Sequence, residues 1–100
     1  MKITVQSIHF DADQKLIDYI QHKVGKLDTF FDRITDSQVY LKVEKDTNAR
    51  ENKHVEIKLN VPQELLMVKE SGHKFEEAVD IAVDALKKQL KKYKDKQRGE

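Results

Sequence analysis

Residues 37–45 read "SQVYLKVEK" and residues 54–61 read "HVEIKLNV". Both stretches alternate apolar and polar residues, so each predicts a β-strand with one buried face and one solvated face. The polar segment "DTNAREN" (46–52) between them predicts a turn, and together they indicate an antiparallel hairpin. Pro62 ends the second strand, because proline lacks the N–H group that a strand inside a sheet donates.

The N-terminal part predicts another strand and a helix. "KITVQSIH" (2–9) alternates in the same way as the hairpin strands. Asp11 and Gln14 have the spacing of a capping box, which predicts that a helix begins there. Gly25 weakens this helix by about 1 kcal/mol relative to alanine but does not interrupt its pattern. The apolar stripe of the helix consists of Leu16, Ile20, Val24 and Leu27.

The C-terminal part predicts a fourth strand and a long second helix. "ELLMVKES" (64–71) is typical of a strand whose register the pattern leaves open, and Ser71 and Gly72 end it. A helical pattern then runs from about residue 74 to about residue 97. We assign Tyr93, at the end of its stripe, to packing rather than to base stacking. The stripe consists of Phe75, Val79, Ala82, Val83, Leu86, Leu90 and Tyr93.

The order β-α-β-β-β-α predicts an α+β fold of two layers. Strands with one polar face and helices with one apolar stripe bury those surfaces together when both helices pack on the same face of a four-stranded mixed sheet. The first helix is long enough for a right-handed crossover, so the first two strands are predicted to be parallel neighbours. We expect a single domain over residues 1–97, followed by a short C-terminal tail, 98–100.

Composition excludes several classes of protein. The chain has 100 residues and no cysteine, which excludes a disulfide framework, a thiolate zinc site and a cysteine nucleophile. No stretch approaches the roughly 18 apolar residues of a membrane span, and the N-terminus lacks the apolar run of a signal peptide. The four histidines lack metal-ligand spacing, and no glycine-rich phosphate loop occurs. We therefore expect a cytoplasmic protein that is not an enzyme, with no catalytic residues, metal, cofactor, small-molecule substrate or membrane partner.

The net charge of +1 hides an asymmetry along the chain. Residues 85–100 carry seven Lys or Arg against two acids, a net charge of +5, whereas residues 1–84 carry twelve against sixteen, a net charge of −4. On a helix of 100° per residue, Lys87, Lys91, Lys94 and Arg98 form one row beside the apolar stripe. The remaining basic residues of this segment lie on the back of the helix: Lys88, Lys92 and Lys96.

Two interpretations of this basic segment remain open. Acids early in a helix and bases late in it complement the helix dipole, and we expect the early acids, such as Asp80 and Asp84, to be solvated. However, seven cations exceed what the dipole requires, and lysines four residues apart repel one another. A polyanionic partner such as RNA would relieve that repulsion. The first helix supports this interpretation, because one of its flanks carries Lys15, Tyr19, His22, Lys23 and Lys26.

Three stretches resemble a known family. They are "KVGKLDTFFDRI" (23–34), "VYLKVEK" (39–45) and "AVDIAVDALKKQLKKYKDK" (78–96). In their order and spacing they resemble the short form of the hibernation promoting factor / ribosome-associated translation inhibitor family. The resemblance covers nearly the whole chain, and the βαβββα fold of that family agrees with the order of elements predicted above.

The resemblance implies a function. It implies a protein that binds the small ribosomal subunit and its 16S-type rRNA in the mRNA and tRNA channel, and that inhibits translation in stationary phase or stress. It also implies RNA-binding roles for Lys23 and Lys26 of the first helix, and for Lys88, Lys92, Lys94 and Lys96 of the last. We add Lys87 and Lys91 on helical geometry alone, and we expect the free protein to be a monomer.

The sequence also departs from the family. "HKFEEAVD" (73–80) has Phe75 and Glu76 where many relatives have an acid and a tyrosine, and we expect neither the linker nor the second domain of the longer form. Two alternatives remain. One is a general double-stranded-RNA-binding module, although "KESGHKF" (69–75) lacks the dense lysine cluster of such modules. The other is a protein-interaction domain using the polar sheet face, which would need an exposed apolar patch that residues such as Gln38 and Lys58 do not provide.

Overall fold

The computed structural model describes residues 1–44 and 52–97. Its elements are β1 (Lys2–Ile8), α1 (Gln14–Gly25), α2 (Leu27–Phe30), β2 (Asp36–Val43), β3 (Lys53–Val61), β4 (Glu64–Gly72) and α3 (Phe75–Gln97). The described residues exclude most of the turn predicted at 46–52. They also exclude the predicted tail, 98–100, which contains Arg98. The predicted order of strands and helices is confirmed, with α2 as an additional short helix.

The sheet has the strand order β1-β2-β3-β4. β1 and β2 are parallel, and each remaining neighbouring pair is antiparallel, so the predicted mixed sheet is confirmed. Val39 pairs with Ile57, which in turn pairs with Val68, and all three face the helices. The pairing therefore settles the register of β4, which its own sequence left open.

One hydrophobic core lies between the sheet and the helices. Every residue of the two predicted helical stripes is buried, and so are the inward residues of the hairpin strands except Val43, which is partly buried. The stripes meet the sheet on one face only, which confirms the two-layer α+β architecture. The largest fully buried side chains are Ile20, Leu27, Leu41, Ile57, Leu59, Leu86 and Leu90.

The predicted capping box at Asp11 is wrong. The N-cap of α1 is Asp13, whose Oδ1 accepts a hydrogen bond of 2.8 Å from the backbone N–H of Leu16. Phe10 stacks on Phe75 at a centroid distance of 5.4 Å, so the chain first crosses to α3 and the helix begins later. The Gln14 amide does not reach back but donates to Asp18.

The predicted first helix is split after Gly25, although its apolar pattern continues past the glycine as predicted. α1 ends at Gly25, Lys26 has φ −63° and ψ −18°, and α2 begins at Leu27. The low helix propensity of glycine favours the break, and the Thr29 side chain stabilises the new turn by donating to the Lys26 carbonyl oxygen over 2.7 Å. The apolar stripe survives because Leu27 remains fully buried.

Tyr93 packs in the core, as its position in the stripe predicted. Its ring meets Phe31 edge-on at a centroid distance of 5.3 Å, and its hydroxyl donates to the Pro62 carbonyl oxygen over 2.7 Å. This bond ties α3 to the two-residue turn between β3 and β4, at Pro62 and Gln63, where Gln63 has a positive φ of 67°.

Tyr93→Phe should destabilise the fold modestly. Loss of the hydroxyl leaves the Pro62 carbonyl oxygen without this partner, which costs about 1 kcal/mol and lowers the melting temperature by about 4–8 °C in a domain of this size. Thermal unfolding followed by circular dichroism measures the change. Tyr40→Phe on the outer sheet face is the matched control, and an equal loss in both variants would contradict the assigned role of the Tyr93 hydroxyl.

Candidate nucleic-acid interface

The two helical segments lie side by side on the sheet and run in the same direction. Tyr19 in α1 contacts Asp80 early in α3, and Phe31, after α2, contacts Tyr93 late in α3. A furrow therefore runs between α1–α2 on one side and α3 on the other. The basic flank of α1 and the row of α3 that contains Lys87, Lys91 and Lys94 border this furrow, as helical periodicity requires.

Lys94 is held in place at the α2 end of the furrow. Its Nζ donates to the Phe30 carbonyl oxygen over 3.1 Å and lies 5.9 Å from the centroid of the Phe30 ring. Lys91 and Lys87, one and two turns earlier respectively, are exposed, and neither forms an ion pair with any residue in the described part of the chain. The row thus combines one positioned cation with two that remain available to a partner.

Lys23 is paired within the protein. Its Nζ lies 3.3 Å from Asp80 Oδ1, and the same oxygen accepts a 2.6 Å hydrogen bond from the Tyr19 hydroxyl. Asp80, whose side chain is 45% exposed, is therefore not simply solvated as the sequence predicted. Asp80 positions Lys23 and offsets part of its charge. Lys26, one turn beyond, is exposed.

The hydrogen bond to Asp80 raises the pKa of Tyr19 to about 12, with further contributions from burial and from the negative charges of Asp80 and Glu76. The raised pKa means that the fold stabilises the neutral phenol relative to the phenolate. The contact is therefore fully present below the ordinary tyrosine pKa of about 10 and is lost as the pH rises through about 12. The link between α1 and α3 therefore does not change across the physiological pH range.

Asp80→Asn should lower the pKa of Tyr19 towards the ordinary tyrosine value of about 10, because the substitution removes both the charged acceptor and its repulsion of the phenolate. Spectrophotometric titration of the phenolate band, with Tyr19→Phe to assign the transition, measures the shift. Asp84→Asn, at an exposed carboxylate one turn further along α3, should leave the titration unchanged. A high pKa that persists without the Asp80 charge would refute this electrostatic explanation.

The remaining basic residues of α3 lie away from the furrow. Lys88 is exposed on the back of the helix, whereas Lys92 and Lys96 line a groove of about 260 Å³ beside the edge strand β4, together with Gln89. The Gln89 side chain donates to the Met67 carbonyl oxygen over 3.1 Å and joins α3 to that edge. The eight predicted RNA-binding lysines therefore do not form one row. Those of α3 lie on several sides of its C-terminal half, and Lys23 and Lys26 face only the row of Lys87, Lys91 and Lys94 across the furrow.

Sequence reasoning missed an apolar patch on the outer sheet face. Leu65 and Met67 are 51% and 45% exposed, and both point away from the helices. The expectation that the outward side lacks exposed apolar residues is therefore wrong for β4. The run "ELLMV" (64–68) places apolar residues on both faces of the strand, so its alternation does not reveal which of them are buried.

Within residues 1–44 and 52–97, no group of three or more His, Asp or Glu side chains is placed to hold a metal ion. Over the same residues, no helix has both the length and the apolar character needed to cross a membrane. The concentrated charge of the helix layer is the feature that distinguishes this surface.

The fold and this surface define a class: a small α+β protein whose helix layer concentrates positive charge at the C-terminal half of its last helix. The chain belongs to the Sigma 54 modulation protein / S30EA ribosomal protein family, whose model matches residues 3–98. This result confirms the family that the three sequence stretches indicated.

Curated relatives bear consistent names. The chain is 33% identical over 99 residues to the ribosome hibernation promoting factor of Pseudomonas putida, covering 99% of this chain and 92% of that protein. It is 30% identical over 96 residues to the protein of the same name from Escherichia coli K12, covering 96% of each. It is 34% identical over 84 residues to the ribosome hibernation promotion factor of Deinococcus radiodurans, covering 84% of this chain and 44% of that longer protein.

Solved structures share the fold. A ribosomal subunit interface protein from Coxiella burnetii superposes with a TM-score of 0.84 at 20% identity, covering 95% of this chain and 99% of that one. The N-terminal domain of Protein Y from Thermus thermophilus superposes with a TM-score of 0.78 at 26% identity, covering 93% and 99% respectively. The α+β architecture derived from the strand and helix patterns is therefore that of ribosomal subunit interface proteins.

Proposed function

We propose that this protein is a ribosome hibernation factor that binds the small ribosomal subunit through the basic surface of its helices. The observation that carries the proposal is the cluster of exposed lysines on the C-terminal half of α3, in a domain of a family whose curated members are ribosome hibernation promoting factors. The eight lysines named from the sequence are the proposed RNA contacts: Lys23, Lys26, Lys87, Lys88, Lys91, Lys92, Lys94 and Lys96.

Charge and shape dominate the proposed recognition. Lysine side chains on helix flanks reach phosphate oxygens, and release of condensed counterions drives such binding without regard to base sequence. A furrow bordered by cations is suited to the phosphate backbone of folded RNA. Protein side chains do not read the bases of such RNA through its major groove, because that groove is deep and narrow. The 16S-type rRNA of the small subunit is the proposed partner, and base-specific contacts are not part of the proposal for this surface.

Inhibition is proposed to work by occupancy. A monomer of this size, in which the sequence predicts no catalytic residue, would stop translation by filling space that mRNA and tRNA need. The proposed setting is the cytoplasm of cells in stationary phase or under stress. In this mechanism the inhibitor acts while it is bound, and translation resumes when it dissociates.

The salt dependence of binding tests the electrostatic basis of the proposal. If about six lysines meet phosphates, a coefficient of about 0.7 per contact predicts a slope near −4 for log affinity against log salt concentration. Co-sedimentation with purified small subunits, at constant magnesium and between low and moderate monovalent salt, measures this slope. A generic RNA duplex serves as the competitor.

Two outcomes would count against the proposal. A flat salt response would contradict binding by many lysines. Equal affinity for the generic duplex would favour the alternative of a general double-stranded-RNA-binding module.

A further inference from the structure

The outer face of the sheet, opposite the helices, contains a cavity of about 360 Å³. The register of the four strands aligns its walls in two cross-strand rows. The first row consists of Ile8, Lys42, His54 and Ser71, and the second contains Tyr40, Glu56 and Lys69. These side chains point away from the core, so their chemistry is available to a ligand without disturbing the fold.

One part of the cavity wall is apolar and aromatic. Tyr40 lies on the interior strand β2, and the Lys58 ammonium group is 5.4 Å from the centroid of its ring. Ile8 belongs to the neighbouring strand β1, is half-buried, and lies one cross-strand row from Tyr40 in the same cavity wall. An aromatic ring and an aliphatic side chain in adjacent rows of one sheet form a pre-ordered surface on which a flat ring can stack.

The other part of the wall carries charge of both signs. Lys42 is exposed, and the side chain of Lys69 is 72% exposed while its Nζ lies 3.8 Å from Glu56 Oε2. His54 Nε2 lies 2.9 Å from Glu44 Oε2, which orients its imidazole ring. The two lysines provide cations at the rim, and the half-buried Glu56 provides a hydrogen-bond acceptor deeper in the wall.

We propose that this cavity binds a nucleotide, with its base against Tyr40 and Ile8 and its phosphate at Lys42 and Lys69. The aromatic ring, the two cations and the carboxylate of the wall together favour a nucleotide over other ligands. The ring needs an aromatic partner, the phosphate needs the cations, and an exocyclic amino group of the base can donate to Glu56. A simple anion would gain from the lysines but would be repelled by the Glu56 carboxylate.

The nucleotide can be free in solution or part of a single-stranded RNA, because both present the same ring and phosphate. The site lies on the sheet face opposite the furrow. Its binding is therefore independent of the proposed ribosome contact, and failure of either proposal leaves the other standing.

The test is a titration of ¹⁵N-labelled protein followed by NMR, with AMP, GMP, CMP and UMP added separately. We expect saturable shifts at the amides of Tyr40, Lys42, His54 and Lys69 with at least one of these nucleotides. Inorganic phosphate and the corresponding nucleoside should each give weaker shifts. A hexanucleotide of single-stranded RNA that binds the same amides more tightly than the mononucleotide would assign the site to RNA, and weaker binding would assign it to the free nucleotide.

Variants make the result specific to the cavity. Tyr40→Ala and Lys42→Glu should each lower the nucleotide affinity by about tenfold or more, through lost stacking and a reversed phosphate contact. Lys2→Glu, on the same sheet face but two cross-strand rows beyond Tyr40, is the charge-matched control and should change it less than about twofold. Lys42 is exposed, so its variant keeps the test valid even if Tyr40→Ala lowers stability.

Three results would overturn the proposal. They are the absence of shifts at the cavity, equal shifts with phosphate alone, and equal losses of affinity in the Lys42 and Lys2 variants.

Discussion

Reversing Lys87 and Lys91 to Glu together is expected to lower the affinity for the small ribosomal subunit by about a hundredfold or more. Each substitution removes an attractive contact with phosphate and adds a repulsive one. Both side chains are exposed, so the melting temperature should change little. The slope of log affinity against log salt should also fall by about 1.4, since two contacts are lost. Co-sedimentation and thermal unfolding, performed on the same preparation, measure the two effects.

Adding Lys94→Glu should abolish the remaining binding, at a small cost in stability. Lys94 donates to the Phe30 carbonyl oxygen and lies over the Phe30 ring, so its loss affects packing between α2 and α3 as well as charge. The double variant therefore separates binding from folding. Lys2→Glu with Lys74→Glu, at exposed positions outside both the basic row and the cavity, changes the net charge by the same amount and should retain most of the affinity. Equal weakening by both pairs would mean that total charge, rather than the furrow, controls binding.

Inhibition of translation is expected to depend strongly on the order of addition. If the protein occupies the channel used by mRNA and tRNA, it should inhibit strongly when it meets empty small subunits and weakly when an initiation complex already fills them. Linkage requires the reverse effect as well, so mRNA and initiator tRNA should lower the apparent affinity of the protein by the same factor by which it lowers theirs. A translation assay in both orders, together with binding to preloaded subunits, measures this coupling.

The variant with Lys87→Glu and Lys91→Glu is the matched control for this assay. It should inhibit weakly in either order, because it does not bind firmly enough to compete. Equal affinity of the unmodified protein for empty and preloaded subunits would exclude occupancy of the channel. That result would direct attention to a site elsewhere on the ribosome, even if the furrow remained necessary for binding.

The sequence predicted the fold because the information is local. Alternation in the two hairpin strands and the apolar stripes of both helices identified which faces are buried, and the structure confirms them. Errors arose where several local solutions compete. Asp11 and Asp13 are both suited in residue type to an N-cap, and the structure shows Asp13 in that role, just after Phe10 stacks on Phe75. Apolar residues on both faces of "ELLMV" (64–68) likewise left the exposed Leu65 and Met67 unrecognised.

The candidate furrow could be predicted only in part. Helical periodicity placed Lys87, Lys91 and Lys94 in one row, because the angle between residues of a helix depends on backbone geometry alone. It could not show that Asp80 holds Lys23, or that the Phe30 carbonyl oxygen holds Lys94. Such contacts join distant parts of the chain. Lys94 lies 64 positions after Phe30, and Asp80 lies 61 positions after Tyr19, whose hydroxyl binds the same carboxylate oxygen as Lys23.

The sequence by itself thus determined the elements, their buried faces and the concentration of positive charge late in the chain, since each depends on neighbours within a few residues. Tertiary structure alone decided which charges are paired and which remain available, because pairing depends on how closely two helices approach. It also decided that Ile8, Tyr40, Glu56 and Lys69, which come from four strands, line one cavity on the outer face. That arrangement follows from strand order and register, which pairing between distant segments sets.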